Sequence, residues 1–442
     1  MSPPTIAGVP PGVTPLVDIG IGDTYDAASI AALWGTARWS TAGDDNEWGG
    51  HEPLWNDIAC EVLEISTFAG RESTVDPFEI GTATIVVRNS DGWADYKPPP
   101  ASGAQDNLLT IRPGRQVRIG VSIAGGPAHW LWRGTIDYTE PGYQPDEGDI
   151  VTFGCIDAKG DAGKAEMPKT LEPVGNGEAA YLRVRRILDN VLWPAWRRQL
   201  DVDTIQLGAT DLGTRATSEL DRTAESARGD IYGDVNGKVR YRRSSWLFWI
   251  DGTPPDATIG NGATSDICPS GWEVRFARDD MTTRAIIGRD GETPLVMDNK
   301  TGIGLYGLET WERTDALPIS NSEMSRLGSR ILNARAPATM PKIASVTLDA
   351  ATGDGEVAEL AATASPFTPS RYRCRHYAAD GRLAFDRQMF VVGIRHTISP
   401  VDGWTTQLAL DAASPYRSVA NPARWDDANT KWSDDDAWAN TI

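Results

Sequence analysis

The chain has 442 residues, 40% hydrophobic and 23% charged, the balance of a globular protein of two to four domains rather than of a disordered or membrane-spanning one. Its 61 acidic residues against 42 basic ones give a formal net charge of −19, which argues against nucleic acid or an anionic membrane as the main partner, since both demand a basic surface. Four cysteines without a CxxC pair and only four histidines argue against a disulfide framework, a zinc ribbon or a His-rich metal site; Cys60, Cys155, Cys268 and Cys374 are expected to be buried free thiols.

The first residues, MSPPTIAGVPPGVTPLVDI, lack the basic and apolar regions of a signal peptide, and no apolar run reaches membrane length. Synthesis in a cytoplasm and no stable membrane insertion are the expectation. Residues 1–57 read as a Pro-rich arm followed by loops with one or two short strands. From Cys60 the pattern turns to β: CEVLEIS, FEIGTATIVVRNSDGW, IRPGRQVRIGVSI, HWLWRGTIDYTEPGY and DIVTFGCIDAKGDAGK make a meander that defines a first β domain over 58–165.

Residues 166–258 read as a small α+β domain. GEAAYLRVRRILDNVLWPAWRR, 177–200 or so, has helical period with Leu182, Ile187, Leu188, Val191 and Leu192 on its apolar face, ended or kinked at Pro194. ATSELDRTAESAR, 216–228, is a second helix, and DIYGDVNGKVRYRR a hairpin turning at Asn236-Gly237. Residues 259–418 return to strands, with one amphipathic helix at about 320–336, SNSEMSRLGSRILNARA, started by a Ser/Asn cap and stopped by Pro337. The closing stretch MFVVGIRHTISPVDGWTTQLALDAA reads as a two-strand hairpin, with His396 and Trp404 as structural residues and Trp404 packing against the Val391–Ile394 strand. Residues 419–442 differ from everything before: Trp425, Trp432 and Trp438 stand six or seven apart among aspartates.

The sequence holds no GxSxG, HExxH or Walker pattern, and its GxGxxG spacing at 302–307, GIGLYG, stands outside a βαβ context. Gly302-Ile303-Gly304 reads as a loop fragment. Asp230, Asp234 and Asn236 miss the calcium-loop spacing and read as a polar turn. His396 lacks a nucleophile and orienting carboxylate beyond Asp402. No catalytic, cofactor or metal residue is assigned, and the chain is not expected to be an enzyme. The 17 tryptophans suit interfaces or sugar stacking. Trp130 and Trp132, placed on one face of HWLWR, are interface or core candidates. The three tail tryptophans are partner-docking candidates, their aspartates keeping the free tail soluble. A carbohydrate-binding or cell-wall-hydrolysing adhesin stays open as the alternative.

The succession of FEIGTATIVVRNSDGW, RPGRQVRIGV, WRGTIDY and GCIDAKGDAGK, then AESARGDIYGDVNGK, then GIRHTISPVDGWTTQLAL resembles the minor tail proteins of long-tailed actinobacteriophages, and more broadly the baseplate-hub or tail-associated family. The resemblance spans about 58–418. It implies a mainly β chain with an α+β insert: two tail-tube-like β-barrel domains, 58–165 and 259–418, plus the small helix-hairpin domain. It further implies a homotrimer in the virion tail tip, assembled in the bacterial host cytoplasm. Partners would be the distal tail protein ring, the tape-measure protein and other minor tail or fibre proteins, with DNA only in transit through the lumen. A negative lumen would let DNA pass by like-charge repulsion, an idea that fails if Arg112, Arg115 and Arg118 line it.

Overall fold

The structure is a computed structural model. It describes residues 13–21, 53–89, 92–94, 111, 113–144, 148–167, 175–213, 215–243, 255–262, 267–275, 281–336, 342–352, 354–368, 370–378, 380–381, 383–399 and 403–412.

Alternating apolar positions build the main sheet. Strands β1 (Val13–Ile21), β2 (Leu54–Asp57), β3 (Val62–Gly70), β4 (Thr82–Arg88), β5 (Gln116–Ile123), β6 (Ala128–Gln144) and β7 (Gly148–Asp157) pair in the order β3-β4-β7-β6-β5-β1-β2. In β4, TATIVVR buries Ala83, Ile85 and Val87 and leaves the intervening residues wetter, the mark of a strand with one face on the core. The arm expected at 1–57 therefore contributes to the sheet. Val13, Val17 and Ile19 of β1 are buried, and β1 pairs β5 along most of its length. Pro15 lies on the part of β1 that β2 does not reach, where a proline is tolerated.

The middle of the chain forms a second body. After the short helix α1 (Ala158–Gly163) come β8 (Glu178–Ala179), α2 (Ala180–Asn190), β9 (Arg198–Leu200), β10 (Gln206–Leu207), α3 (Ala216–Ser226), β11 (Asp230–Gly233) and β12 (Val239–Arg242). The hairpin β11–β12 turns at Asn236-Gly237, where Gly237 has φ 72°. Helix α2 buries Ala180, Arg183, Val184, Ile187 and Leu188. Leu182 and Leu192, assigned to its apolar face, are instead outside: Leu182 lies five residues before Ile187 and so off the stripe, and Leu192 lies past the helix end, 87% exposed.

The chain then adds β13 (Ala257–Gly260), β14 (Gly271–Arg275), β15 (Arg284–Ile287), β16 (Leu295–Asp298), α4 (Lys300–Tyr306), β17 (Thr310–Arg313), α5 (Asn321–Ala334), β18 (Lys342–Asp349), α6 (Gly355–Thr363), β19 (Arg371–Tyr377), β20 (Leu383–Ser399) and β21 (Gly403–Ala412). Among the described residues three α-helices stand where one was expected. Gly302-Ile303-Gly304 is helical, not a loop, because Asn299 caps the turn by accepting from the Gly302 N–H. Helix α6 begins at the Asp354 cap and lays Val357, Ala358 and Ala361 on the main core. Strands β16-β15-β17 form a separate small sheet with α5 across one face, around Ala285, Ile287, Met324 and Leu327.

The remaining late strands join the early ones. Order β14-β18-β21-β20 continues directly into β3, so the two β-rich stretches share one sheet across the β3–β20 seam. Among the described residues the pairing order has free ends at β14 and β2 rather than a closed ring. The fold is mainly β with an α+β insert, as the sequence led one to expect. One cross-strand row shows how the seam is held. Trp404 opposes Ile398, Ile398 opposes Ile65, Ile65 opposes Ile85, and Ile85 opposes Phe153. None of the five is more than 1% exposed, and each such burial stabilises by about 1.5–3 kcal/mol.

Candidate functional site

A polar loop ties the described bodies together. Residues 71–78, RESTVDPF, leave the end of β3 at the seam, and every other body reaches for them. Gly70 and Gly393 pair directly across the seam. A Cβ built on Gly70, whose φ is +131°, would lie 2.3 Å from the Gly393 Cα, so β3 needs glycine here for the strands to come this close. The Arg71 N–H donates to the Val392 carbonyl at 2.9 Å.

From this anchored backbone the Arg71 side chain runs into the α+β body. Its Nη1 lies 2.6 Å from Asp230 Oδ1, and Arg242 Nη2 lies 2.9 Å from Asp230 Oδ2, all three side chains no more than 6% exposed. Burial pushes the Asp230 carboxyl up, but Arg71, Arg242 and Arg330 outweigh it and hold it at about 2. Phe78, Tyr232 and Phe367 stack beside the triad, with ring centroids 4.8 and 4.9 Å apart. The Arg71 guanidinium lies 4.4 Å from the Phe78 ring centroid.

The rest of the loop is tied to other elements. Asp411 of β21 accepts from the Ser73 and Thr74 hydroxyls and the Thr74 N–H. From α5 and the residue after it, Arg330 donates to the Thr74 carbonyl at 3.1 Å and Arg335 pairs with Asp76. Lys159 of α1 donates to the Phe78 carbonyl. A cavity of about 140 Å³ lies between the loop, α3 and α5. A second joint is nearby. Asp157, the N-cap of α1, accepts from the Gly81 and Gly160 N–H groups at 2.8 Å each. A Cβ on Gly233 of β11 would stand 2.7 Å from its carboxyl carbon. Burial raises the Asp157 pKa to about 6, although the N–H groups of Gly160, Gly81 and Gly233 and the Lys159 charge favour the anion.

These joints were not foreseen in the sequence: Asp230, read there as part of a polar turn, is a buried residue of β11, because the turn itself begins only at Asp234. The other residues singled out fall elsewhere. His396 is 2% exposed on the core face beside the seam, opposite Thr406 and Thr67. Its Nδ1 is 2.9 Å from Thr406 Oγ1, and burial pushes its pKa down to about 3. Trp404 is fully buried, 6.2 Å from the His396 ring. It lies against the strand of Val391–Ile394, β20, but at Ile398, while Val391 and Ile394 face Leu410 and Leu408. A neutral, enclosed imidazole bonded to a threonine has no access to a reactant.

Trp130 and Trp132 do not share a face. The β5–β6 register shifts between them: Ile119 opposes Trp132 and Gly120 opposes Trp130, which leaves Leu131 as the extra, bulged residue. Trp132 enters the core at 3% exposure. Trp130 lies on the other face, its ring 4.0 Å from the Arg118 guanidinium, which is also 4.3 Å from the Trp55 ring. Asp18 holds that arginine at 2.7 and 2.8 Å. Arg118 is thus committed to this stack, Arg115 is buried, and Arg112 lies outside the described residues. So do Asp402 and the three tail tryptophans Trp425, Trp432 and Trp438. Asp234 binds the N–H groups of its own turn, Asn236 and Lys238, at 2.9 Å. Cys155 and Cys374 are buried, but Cys60 and Cys268 are exposed, since neither lies on a core-facing strand position; all four are free. Among the described residues no three His, Cys, Asp or Glu side chains gather in a way that could hold a metal ion, and no helix is long and apolar enough to cross a membrane.

The described residues thus form a large, mostly antiparallel sheet carrying an α+β insert, the two joined at a polar loop. This fold is shared with the tail protein from Neisseria meningitidis MC58, at a TM-score of 0.56 and 12% identity over 91% of this chain and 98% of that one. The 43 kDa tail protein of prophage MuSo2 from Shewanella oneidensis aligns at a TM-score of 0.49 and 11% identity over 83% and 97%. A prophage tail protein from Listeria monocytogenes EGD-e aligns at 0.40 and 7% over 78% and 94%. No family model and no curated protein matches the sequence.

Proposed function

We propose that the chain is a structural component of a phage-type tail tip, a baseplate-hub or minor tail protein that forms a ring continuing the tail tube. The observation that carries this reading is the likeness to the Neisseria tail protein across nearly the whole of both chains, joined to the motif resemblance to actinobacteriophage minor tail proteins. In this reading the domains are an N-terminal arm (1–57), a first hub domain (58–165), the small α+β domain (166–258), a second hub domain (259–418) and the C-terminal tail. The ring is a homotrimer, and its neighbours are the distal tail ring, the tape-measure protein, and fibre or other minor tail proteins. The chain works in the virion, delivering DNA through its lumen without chemistry of its own. The loop at 71–78 supports such a role, because a part that bears load between neighbours gains from bodies that cannot slide on one another.

The test is the native mass of the purified full chain by light scattering, with electron microscopy of the particles. A trimeric ring with a central opening is the expected result. A monomer that binds or cleaves cell-wall polysaccharide would overturn the reading in favour of an adhesin.

A further inference from the structure

Strand β20 is longer than the partner on one of its two edges. Met389 and Phe390 pair with Tyr372 and Arg371 of β19 and also with Ala412 and Asp411 of β21, so β19 and β21 lie on opposite edges. On the β19 edge, pairing runs from Leu383 to Phe390, and β3 takes over from Gly393 to Ile398. On the β21 edge it starts only at Met389. Among the described residues the stretch from Leu383 to Gln388 has no strand on that side.

This stretch is well held on its other side. Phe385 packs on the main core. Asp386 accepts two bonds of 2.7 Å from Arg373, with Arg375 3.6 Å away. The Val391 N–H donates to the Ser370 carbonyl, on the β19 side. Backbone groups alternate between the two edges of a strand. Met389 and Arg387 therefore also face β19, while Gln388 and Asp386 turn their N–H and C=O groups to the open edge, where another strand can add.

The chain itself arrives at that edge. Ala412 ends β21 opposite Met389, so the residue after it starts beside Gln388 with no distance to cross. The sequence that follows is Ala413-Ser414-Pro415-Tyr416, which matches the edge from Gln388 to Phe385 in length. Pro415 restricts how it can lie. Straight continuation of the register would set Pro415 opposite Asp386, its ring where a donor N–H should meet the Asp386 carbonyl. One extra residue at Ala413–Ser414 removes the conflict, a bulge like the one β20 makes between Val391 and Gly393. It moves Pro415 opposite Arg387, where the proline nitrogen faces away from β20. Tyr416 then stands opposite Asp386, in one row with Arg375. Its N–H meets the Asp386 carbonyl, and its ring lies beside the guanidiniums that Asp386 gathers.

We propose that residues 413–416 supply the strand for this edge, as a bulged continuation of β21 docked on 385–388 of β20 in the same chain. The added strand closes the edge. It also makes the rest of the C-terminal segment depart near the tip of the β19–β20 hairpin. This docking stands apart from the tail-hub reading.

The experiment is hydrogen–deuterium exchange of the full chain, read residue by residue through 384–390 by mass spectrometry with electron-transfer fragmentation. The Asp386 and Gln388 amides are expected to exchange slowly, as Arg387 does, whose N–H faces β19 in any case. Y416P, which removes the N–H opposite the Asp386 carbonyl, should speed exchange at Asp386 and Gln388 roughly tenfold, the factor that about 1.4 kcal/mol makes in an opening equilibrium, and leave Arg387 unmoved. S418P, beyond the strand, should change neither. Protection that holds on dilution supports a strand from the same chain; protection that falls on dilution puts a second copy on the edge and overturns the proposal. Asp386 and Gln388 exchanging as fast as exposed amides would show an open edge, and slow exchange indifferent to Y416P would show a different cover; either result overturns it too.

Discussion

Replacing Asp230 by Asn tests the keystone directly. Asparagine fills the same space and keeps one acceptor, but it removes the carboxylate bonded to both Arg71 and Arg242. Two guanidiniums would be left buried beside each other with Arg330 nearby, and breaking a buried pair in this way costs about 3–5 kcal/mol. With a urea m-value of about 3 kcal/mol/M the unfolding midpoint falls by about 1 M or more. The pH profile gives an independent check. The folded-state pKa of Asp230, about 2, lies below its ordinary value of 3.8. Its contribution is therefore full above pH 3.8 and is lost as pH falls toward 2, a swing of about 2.4 kcal/mol that the Asn variant should not show. Replacing all three residues by apolar ones of similar volume (R71M, D230L, R242M) should be close to neutral, because the desolvation of three charges disappears together with their attraction. A D230N midpoint within 0.2 M or so of the parent would refute the account of the triad as a fully desolvated joint.

Acid should also act through His396, whose pKa falls from 6.5 to about 3 on folding. Its stabilising contribution is complete above pH 6.5 and is lost as pH falls through 3, up to about 4–5 kcal/mol; H396Q, followed by denaturation at several pH values, should flatten that slope. Asp157 works with the opposite sign: its raised folded pKa of about 6 makes stability decline by about 3 kcal/mol as pH rises from 3.8 to 6, a segment that D157N should remove. Gly70→Ala should cost more than about 3 kcal/mol, since it adds a left-handed strain to a backbone clash, whereas Gly148→Ala, with φ +80° and open space around it, should cost only about 1 kcal/mol; equal effects on melting temperature would contradict the close approach at the seam. Trp404→Ala should cost about 3–5 kcal/mol and Trp404→Phe distinctly less, because the Trp404 indole N–H has no partner to lose among the described residues; chemical denaturation of the two variants separates these outcomes.

Local signals were legible where the physics is local. The alternation of TATIVVR, the Asn236-Gly237 turn and the Ser320 cap before NSEMSRLGSRI each produced the element they announce. Helix α4 was hidden because Gly302 and Gly304 mimic a loop, and α6 because GEVAELAAT is short and apolar nearly all round. The bulge at Leu131 could not be read from HWLWR, since a period of two puts both tryptophans on one face until a partner strand sets the register. The keystone was invisible for a different reason. RESTVDPF has the composition of any polar turn, and its meaning comes from Asp230, Arg330 and Asp411, which only the fold brings to it. Of the residues nominated as site candidates, His396 and Trp404 were read as structural and sit in the core, while the tail tryptophans fall outside the described residues.

The β3–β20 seam has a consequence for how the chain is made. Strand β3 leaves the ribosome early, and its partner β20 is among the last segments to follow. Until then, the β3 edge has N–H and C=O groups with no strand to bond, next to Ile65 and Ala69, a template for pairing with another nascent chain. Pairing so distant in sequence is also slow, because most of the chain must be looped out before it is rewarded. The molecule thus acquires its middle only when its end arrives. A chain whose synthesis stops short of Leu383 keeps an open edge and an unfilled Gly70 notch, and on this account it partitions to aggregation or proteolysis, so that fragments are withheld from any larger structure without a dedicated checkpoint.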